Sequence, residues 1–346
     1  MRSKRHSIKD IAKQLNVSPT TVSFVLNGKG KEKKISDEVI QRVLTYTKEI
    51  NYKPNLLARS LRTGKTKILV VMVEDISNHF FAKIARIIED IAYAKGYRVL
   101  FCSNENKDER SRDLLNLFFE RQVDGFIIIP SSGIREDVAE LIKNDIPVVL
   151  FDRFFPDLDT HYVVIDNYDA SYNATRHLIG NGYRDIAFVT TDVDQVQMND
   201  RLCGYEEAVA AAGLPATVLR VPFGDTDSRR GRDQLRDFFT ERHDVDAVFF
   251  STNYLTQSGL EMIKETNVTS IEALGIVTFD DNELFRINTP SISAVAQPQE
   301  EIAQELMRIM LHLLKNREKT AETFKVTLKA RLIPRGSSLA KVNAPA

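Results

Sequence analysis

From position 67 onward the chain alternates short unbroken apolar runs with longer amphipathic stretches, and this rhythm restricts its fold more than any other feature. Ile68–Val73 contains no polar residue. A helical pattern follows at 80–95, then a strand-like run at 98–102, a helix near 108–121, a strand at 125–129, a helix near 135–143 and a strand at 148–152. After Asn167 the order repeats, with helix 168–180, strand 186–190, helix 198–212, strand 218–222, helix 227–240, strand 247–251, helix 254–265 and strand 275–280. Strands apolar on both faces and separated by helices predict parallel sheets covered by helices. Two successive sets predict two lobes. Ligands of open α/β sheets sit beyond the carboxyl ends of the strands, so a cleft between the lobes is the expected binding site.

The first 67 residues differ in kind. They carry 16 Lys and Arg against 5 Asp and Glu, a net charge of +11, whereas the rest carries −12. Such an asymmetry suits the first segment to a polyanion. Ser7 is a helix cap, and Ile8, Ile11, Ala12 and Leu15 follow as one apolar stripe. Asn16-Val17 interrupts the run, and Ser18-Pro19 restarts a helix with a capping serine and a first-turn proline. There Val22, Val25 and Leu26 face inward, and Thr20, Thr21, Phe24 and Asn27 lie opposite. Two short helices joined by a tight turn have helix-turn-helix spacing. A third helix starts at Ser36, with Ile35 and Ile40 stapled across the cap and Val43, Leu44 and Ile50 continuing the stripe. A helix of this kind fits the major groove and brings its first turns to base edges, while neighbouring Lys and Arg neutralise phosphates.

Other readings find little support. No run approaches the roughly 18 apolar residues of a membrane helix, and the basic N-terminus lacks the apolar core of a secretory signal. Cys102 and Cys203 sit among apolar neighbours and read as inert buried thiols; a cytoplasmic protein is expected. Gly64-Lys65-Thr66 ends like a phosphate-binding loop, but Arg59 stands where that motif needs glycine. The six histidines have no ligand-like spacing, and Asp280 and Asp281, adjacent at a strand end, point apart. No enzyme, metal site or cofactor is expected.

The stretch Ile8-Lys9-Asp10-Ile11-Ala12, then Val17 through Ser23, then Val25-Leu26-Asn27-Gly28, resembles the DNA reader of the LacI/GalR family, as does Asn51-Tyr52-Lys53-Pro54-Asn55 followed by Ala58-Arg59-Ser60-Leu61. The resemblance continues through Glu74 to Phe81, Phe151-Asp152-Arg153, Ile165-Asp166-Asn167, Arg201 to Tyr205, Phe279-Asp280-Asp281, Gln297-Pro298 and Leu332 to Ser338. It implies an α/β chain: a three-helix helix-turn-helix domain at 1–53, a hinge helix and linker at 54–66, and a two-lobed domain like type I periplasmic binding proteins at 67–338. The implied N-lobe is 67–166 plus 297–327, the C-lobe is 167–296 plus 328–338, and 339–346 is a tail.

Carried over by position, the resemblance assigns phosphate contacts to Ser18, Thr21 and Asn27, base reading to Pro19, Thr20 and Phe24, and backbone proximity to Tyr52 and Asn55. Leu61 becomes a minor-groove wedge with Ala58 beside it. Phe24 replaces a common Arg or Tyr; it packs either on thymine methyls and sugars or into the core. The link Lys29 to Lys34 is longer than usual and is either a solvated loop or a source of extra phosphate contacts.

In the cleft, Phe80 and Phe81 are implied to form an aromatic wall, with Asp152, Arg201 and Asp280 as polar partners. Arg153, Asp166 and Asn253 are further candidates. His79 replaces a common Pro, and Tyr254 replaces the Asp of a common Asn-Asp pair. The implied function is a transcription regulator, a repressor that binds a palindromic double-stranded DNA operator as a homodimer under control of a small-molecule effector, favoured to be a carbohydrate. The short tail lacks heptads, which favours a dimer over a tetramer. The alternatives are a solute-binding protein with a basic extension and a purine-responsive regulator. Operator sequence, effector identity and the direction of the response stay open.

Overall fold

In the computed structural model, the described residues are 6–52, 64–266, 269–270, 273–316 and 322–340. They fall into two compact units divided after Thr66. The small unit holds α1 (Ile8–Leu15), α2 (Pro19–Leu26) and α3 (Asp37–Glu49). Each begins on a serine. Asp10 N–H donates to Ser7 Oγ at 3.2 Å, Ser7 N–H donates to Asp10 Oδ2 at 2.8 Å, and Thr21 N–H donates to Ser18 Oγ at 2.9 Å. A cap of this sort is worth about 1 kcal/mol, which matters because the fully buried core is only Ile11, Ala12, Val22, Val25 and Val43. Arg42 adds a tie by donating to the Leu15 carbonyl at 2.6 Å, where α1 ends. The hinge expected at 54–62, with Asn55, Ala58 and Leu61, lies outside the described residues.

The large unit contains two six-stranded sheets. The first is built from β1 (Ile68–Val73), β2 (Arg98–Ser103), β3 (Gly125–Ile128), β4 (Val148–Phe151) and β5 (His161–Ile165), joined in order by α4 (His79–Ala94), α5 (Asp108–Glu120), α6 (Arg135–Lys143) and the loop 152–160. The chain then passes to the second lobe through α7 (Asn167–Gly180), β6 (Ile186–Thr191), α8 (Val196–Ala211), β7 (Thr217–Val221), α9 (Arg229–Glu241), β8 (Ala247–Phe250), α10 (Asn253–Thr266), β9 (Gly275–Phe279), the short α11 (Glu283–Ile287) and β10 (Ser293–Ala296). It returns through α12 (Gln299–Lys315), then adds β11 (Lys325–Leu328) to the first sheet and β12 (Arg331–Ile333) to the second. The strand orders are β11-β5-β4-β3-β1-β2 and β12-β10-β9-β8-β6-β7. Every pairing is parallel except β12 on β10.

Alternation along β1 explains the unbroken apolar run. Leu69, Val71 and Val73 join one buried cluster, and Val70 and Met72 join the cluster on the other face. The rhythm did not reveal β5, β10, β11 or β12. No helix separates β4 from β5, and the other three adjoin segments where the chain changes lobe.

These crossings follow Ile165, Ala296 and Leu328. Two of them are tied, because Asp166 Oδ1 accepts from Ala330 N–H at 2.8 Å and Asp166 N–H donates to the Leu328 carbonyl at 3.0 Å. The third is tied to the second lobe, since Gln297 Nε2 donates to Asp280 Oδ1 at 2.7 Å.

Candidate nucleic-acid reader and interlobe cleft

On α2 the inward and outward faces separate. Val22 and Val25 are buried, whereas Ser18, Pro19, Thr20 and Asn27 are exposed and Thr21 and Phe24 are half-buried. Ser18 and Thr21 hydroxyls lie 2.8 Å apart, and Asn27 Nδ2 donates to the Ser23 carbonyl at 2.7 Å, so these side chains are held at the two ends of one helical face. Phe24 occupies the middle of that face. It is not among the residues of the small core, whereas Tyr52 packs against that core.

The cleft of the large unit is built from strand ends. Asp152 follows β4 and Asp280 follows β9, which occupy the same place in their sheets, and both have φ of +69°. Aspartate tolerates this left-handed backbone better than most residues, and two such outliers at matching positions point to a functional constraint. Both side chains line the cleft. At Asp152 the turn is tight, with Arg153 N–H donating to the Phe151 carbonyl at 2.7 Å. Asp152 therefore faces the cleft while Arg153 turns back to Glu74, its Nη2 donating to Oε2 at 2.7 Å in a buried pair.

Arg201 comes from α8 and is 3% exposed. Its Nε donates to Asn167 Oδ1 at 2.8 Å, its Nη1 donates to the Ser251 carbonyl at 2.8 Å, and its guanidinium sits 3.6 Å from the Phe279 ring centroid. The same helix face explains the residues that follow. A Cβ at Gly204 would fall 2.3 Å from the Tyr168 carbonyl oxygen, so glycine lets α8 close on α7. Tyr205 is buried, and its hydroxyl donates to the Ile186 carbonyl at 2.7 Å and accepts from Thr217 N–H at 2.8 Å, anchoring α8 beside β6 and β7.

Opposite Arg201 stand Phe80 and Phe81, edge to face at 5.1 Å and backed by Phe151 at 6.2 and 6.3 Å. Burial pushes the Asp280 carboxyl up to about 6, against the pull of Arg201 and the hydrogen bond from Gln297. Burial also raises Glu74, opposed by Arg153, and raises the Tyr254 phenol. The cleft encloses about 440 Å³ of empty space, its open mouth included.

The lobes also touch each other directly. Asn253 Nδ2 donates to Asn78 Oδ1 at 2.9 Å, and Asn78 Nδ2 donates back to Asn253 Oδ1 at 3.3 Å. Beside this reciprocal amide pair, Gln195 Nε2 donates to Asn106 Oδ1 at 2.8 Å.

Phe80, Phe81, Asp152, Arg201 and Asp280 are thus brought together around one cavity. Three of the expected residues do not line it: Arg153 is paired with Glu74 and Asp152, Asp166 staples the crossings, and Asn253 meets it only through Asn78, which lines it. Sequence reasoning missed Gln195, Gln197, Thr191, Thr252 and Tyr254, all on the wall. Thr191 ends β6 and Thr252 follows β8, so the strand-end rule could have found them. Gln197, four residues before Arg201 on the same helix, was legible from helical spacing. Its Oε1 is buried without a protein partner, an acceptor left for a bound donor. Among the described residues no cluster of side chains could hold a metal ion, and no helix is long and apolar enough to cross a membrane.

Comparison with known proteins agrees with this layout. Residues 7–55 match the model for bacterial regulatory proteins of the lacI family, and 175–338 match the periplasmic binding protein-like domain. The transcriptional regulator RegA of Clostridium saccharobutylicum is 31% identical over 335 residues, covering 96% of this chain and 99% of that one. Among solved structures, the regulator CelR in complex with cellobiose superposes with a TM-score of 0.69 at 25% identity, over 96% of this chain and 100% of that one. The lac repressor dimer bound to operator and an anti-inducer superposes with a TM-score of 0.83 over 97% and 100%; at 19% identity it speaks for the fold. Because the agreement runs the whole length of the chain and not through a single motif, the chain belongs to the lacI family of bacterial regulatory proteins: it is a DNA-binding transcription regulator.

Proposed function

We propose that the protein is a repressor that grips a palindromic operator as a two-fold dimer and changes that grip when an uncharged carbohydrate occupies the cleft. The observation that carries the effector class is the buried Arg201 between Asp152 and Asp280, facing the Phe80–Phe81 wall. Carboxylates and a guanidinium hold hydroxyls by charge-assisted hydrogen bonds, and an aromatic face accepts the C–H side of a sugar ring. A phosphate or carboxylate on the ligand is disfavoured. Three carboxylates line the cleft, and Arg153, the second guanidinium nearby, is paired with two of them, Glu74 and Asp152, and does not line it. CelR, which resembles this chain along its length, carries cellobiose. A relative that is a transcription regulator along the whole chain supports an effector that is bound and released unchanged.

The division into a reader at 1–53, a hinge at 54–66 and a two-lobed domain at 67–338 supplies the coupling. Effector and operator are then linked by about 1–3 kcal/mol, reciprocally. Ser18, Thr21 and Asn27 hold phosphates; Pro19, Thr20 and Phe24 meet base edges; Leu61 wedges the minor groove. Two experiments test this. In a thermal-shift panel of neutral sugars, sugar phosphates and nucleobases, a neutral sugar is expected to raise the melting temperature by mass action; stabilisation by a nucleobase or a sugar phosphate alone overturns the effector class. In gel shifts with a duplex selected from random sequence, Leu61→Ser is expected to lose specific binding, and undiminished binding removes the wedge.

A further inference from the structure

The turn between α2 and α3 is neither open nor loose. Lys33 N–H donates to the Lys29 carbonyl, Lys34 N–H to Lys31 and Ile35 N–H to Gly30, each at 3.0 Å, so 29–34 winds as a single helix-like turn. It closes on Lys34, whose φ is +55°. Gly30 is buried, and a Cβ there would lie 2.7 Å from Ile40 Cδ1, which seats the turn's backbone on the small core. The side chains of Lys29, Lys31, Lys33 and Lys34 all remain exposed.

Local pairing does not account for four cations on a pinned turn. Lys31 and Asp37 are 3.9 Å apart with side chains more than 80% exposed, and Lys33 lies 3.2 Å from Glu32 in the same exposed turn; such surface pairs contribute little. A favourable interaction with the carboxyl end of α2 concerns its last carbonyls. Lys33 is directed elsewhere: its ammonium lies 5.8 Å from the centre of the Phe24 ring. This sets a cation beside the one side chain in the middle of the α2 outer face that has no hydrogen-bond donor.

We infer that the turn 29–34 is a second DNA-backbone clamp, in which Lys33, propped on Phe24, and Lys31 neutralise phosphates flanking the base steps that α2 reads. The inference rests on the DNA-binding reading of α2 and adds a contact to it. Phe24 supplies shape and apolar surface, and the turn supplies the charge. Because the turn is already ordered, little chain entropy opposes the contact.

The test uses the full chain and a duplex that the wild-type protein selects from a random pool, with binding followed by fluorescence anisotropy over a range of salt concentrations. Removing one lysine–phosphate pair lowers the slope of log K against log salt by about 0.9, hence by about 1.8 for one pair on each half of a dimer site. Lys33→Ala and Lys31→Ala are each expected to reduce the slope by that amount with the base preference unchanged, Lys33→Arg to retain it, and Lys264→Ala, an exposed position on α10, to leave it unaltered. An unchanged slope in the Lys31→Ala/Lys33→Ala double variant overturns the clamp while leaving α2 as the reader. So does a Lys33→Ala variant that alters the preferred base at one position at constant slope, because Lys33 would then read a base. Absence of salt-dependent wild-type binding would overturn the clamp and the DNA-binding reading together.

Discussion

The two lobes share one strand order and place a Phe-Asp pair with the same backbone angle at the end of the same strand, yet they bring different side chains to the cleft. The first lobe supplies the Phe80–Phe81 wall and the carboxylates of Glu74 and Asp152, with which Arg153 pairs. The second supplies Arg201 and most of the amides and hydroxyls. The residue after each aspartate follows the same division. Arg153 turns inward to a buried carboxylate, whereas Asp281 receives both arms of Arg335, each at 2.8 Å, and fixes the returning chain. Topology decides where the ligand-facing positions lie; the side chains chosen at those positions decide which face of a ligand each lobe recognises.

The largest expected effect separates the two guanidiniums. Arg201→Met leaves the buried Asn167 Oδ1 and Ser251 carbonyl without their donor and should cost about 3–5 kcal/mol of stability, together with loss of the sugar-induced thermal shift. Arg153→Met should cost less, because Glu74, already raised by burial, can take up a proton, and the sugar shift should survive. Equal loss of the shift in both variants would break the proposed division of labour.

Next comes pH. Asp280 in the folded protein titrates at about 6, against an ordinary value of 3.8. The folded state therefore holds the extra proton between these values. This contribution to stability is complete below the ordinary value and is lost as pH rises through about 6. Melting temperature should fall across that window by an amount worth at most about 3 kcal/mol. Asp280→Asn should reduce the fall, and Glu74, also raised by burial, adds to it with the same sign. A steep fall that persists in Asp280→Asn would place the titration elsewhere.

A smaller effect tests the direct contact between lobes. Asn78→Ala and Asn253→Ala should be coupled by about 1 kcal/mol in a double-mutant cycle, and each should enlarge the radius of gyration seen by small-angle scattering. Additive effects with no change in size would show that the amide pair does not hold the lobes. Smallest is Asp166→Ala, expected to cost about 1 kcal/mol by freeing the Ala330 N–H, without altering the sugar shift.

Much of this was legible in the sequence, for identifiable reasons. Apolar runs located β1, β3, β4, β6, β8 and β9 because both faces of those strands are covered. Serine caps located α1, α2 and α3. Asp152 and Asp280 were legible because a strand end is where a parallel sheet meets its ligand. Arg153 was not, since the turn at Asp152 sends neighbours in sequence in different directions, and no local pattern announces that turn. Asp166 has a capping residue's position, but its partner Ala330 lies 164 residues away. Gln195 was invisible for the same reason: its partner Asn106 belongs to the other lobe, and only the closed arrangement makes them neighbours.

The stapled crossings limit how these lobes can move. Two bodies joined by a single tether have almost all their rotations free. Here three chain segments pass between them, with two laced together at Asp166 and the third tied through Gln297 to Asp280. Sliding and splaying would stretch at least one strap, so the remaining soft coordinate is a small turn about the bundle of straps. Since Asp280 is at once a wall of the cleft and the anchor of one strap, whatever grips Asp280 also sets the stiffness of that axle, and a ligand can change the angle of the lobes without touching the far side of either one.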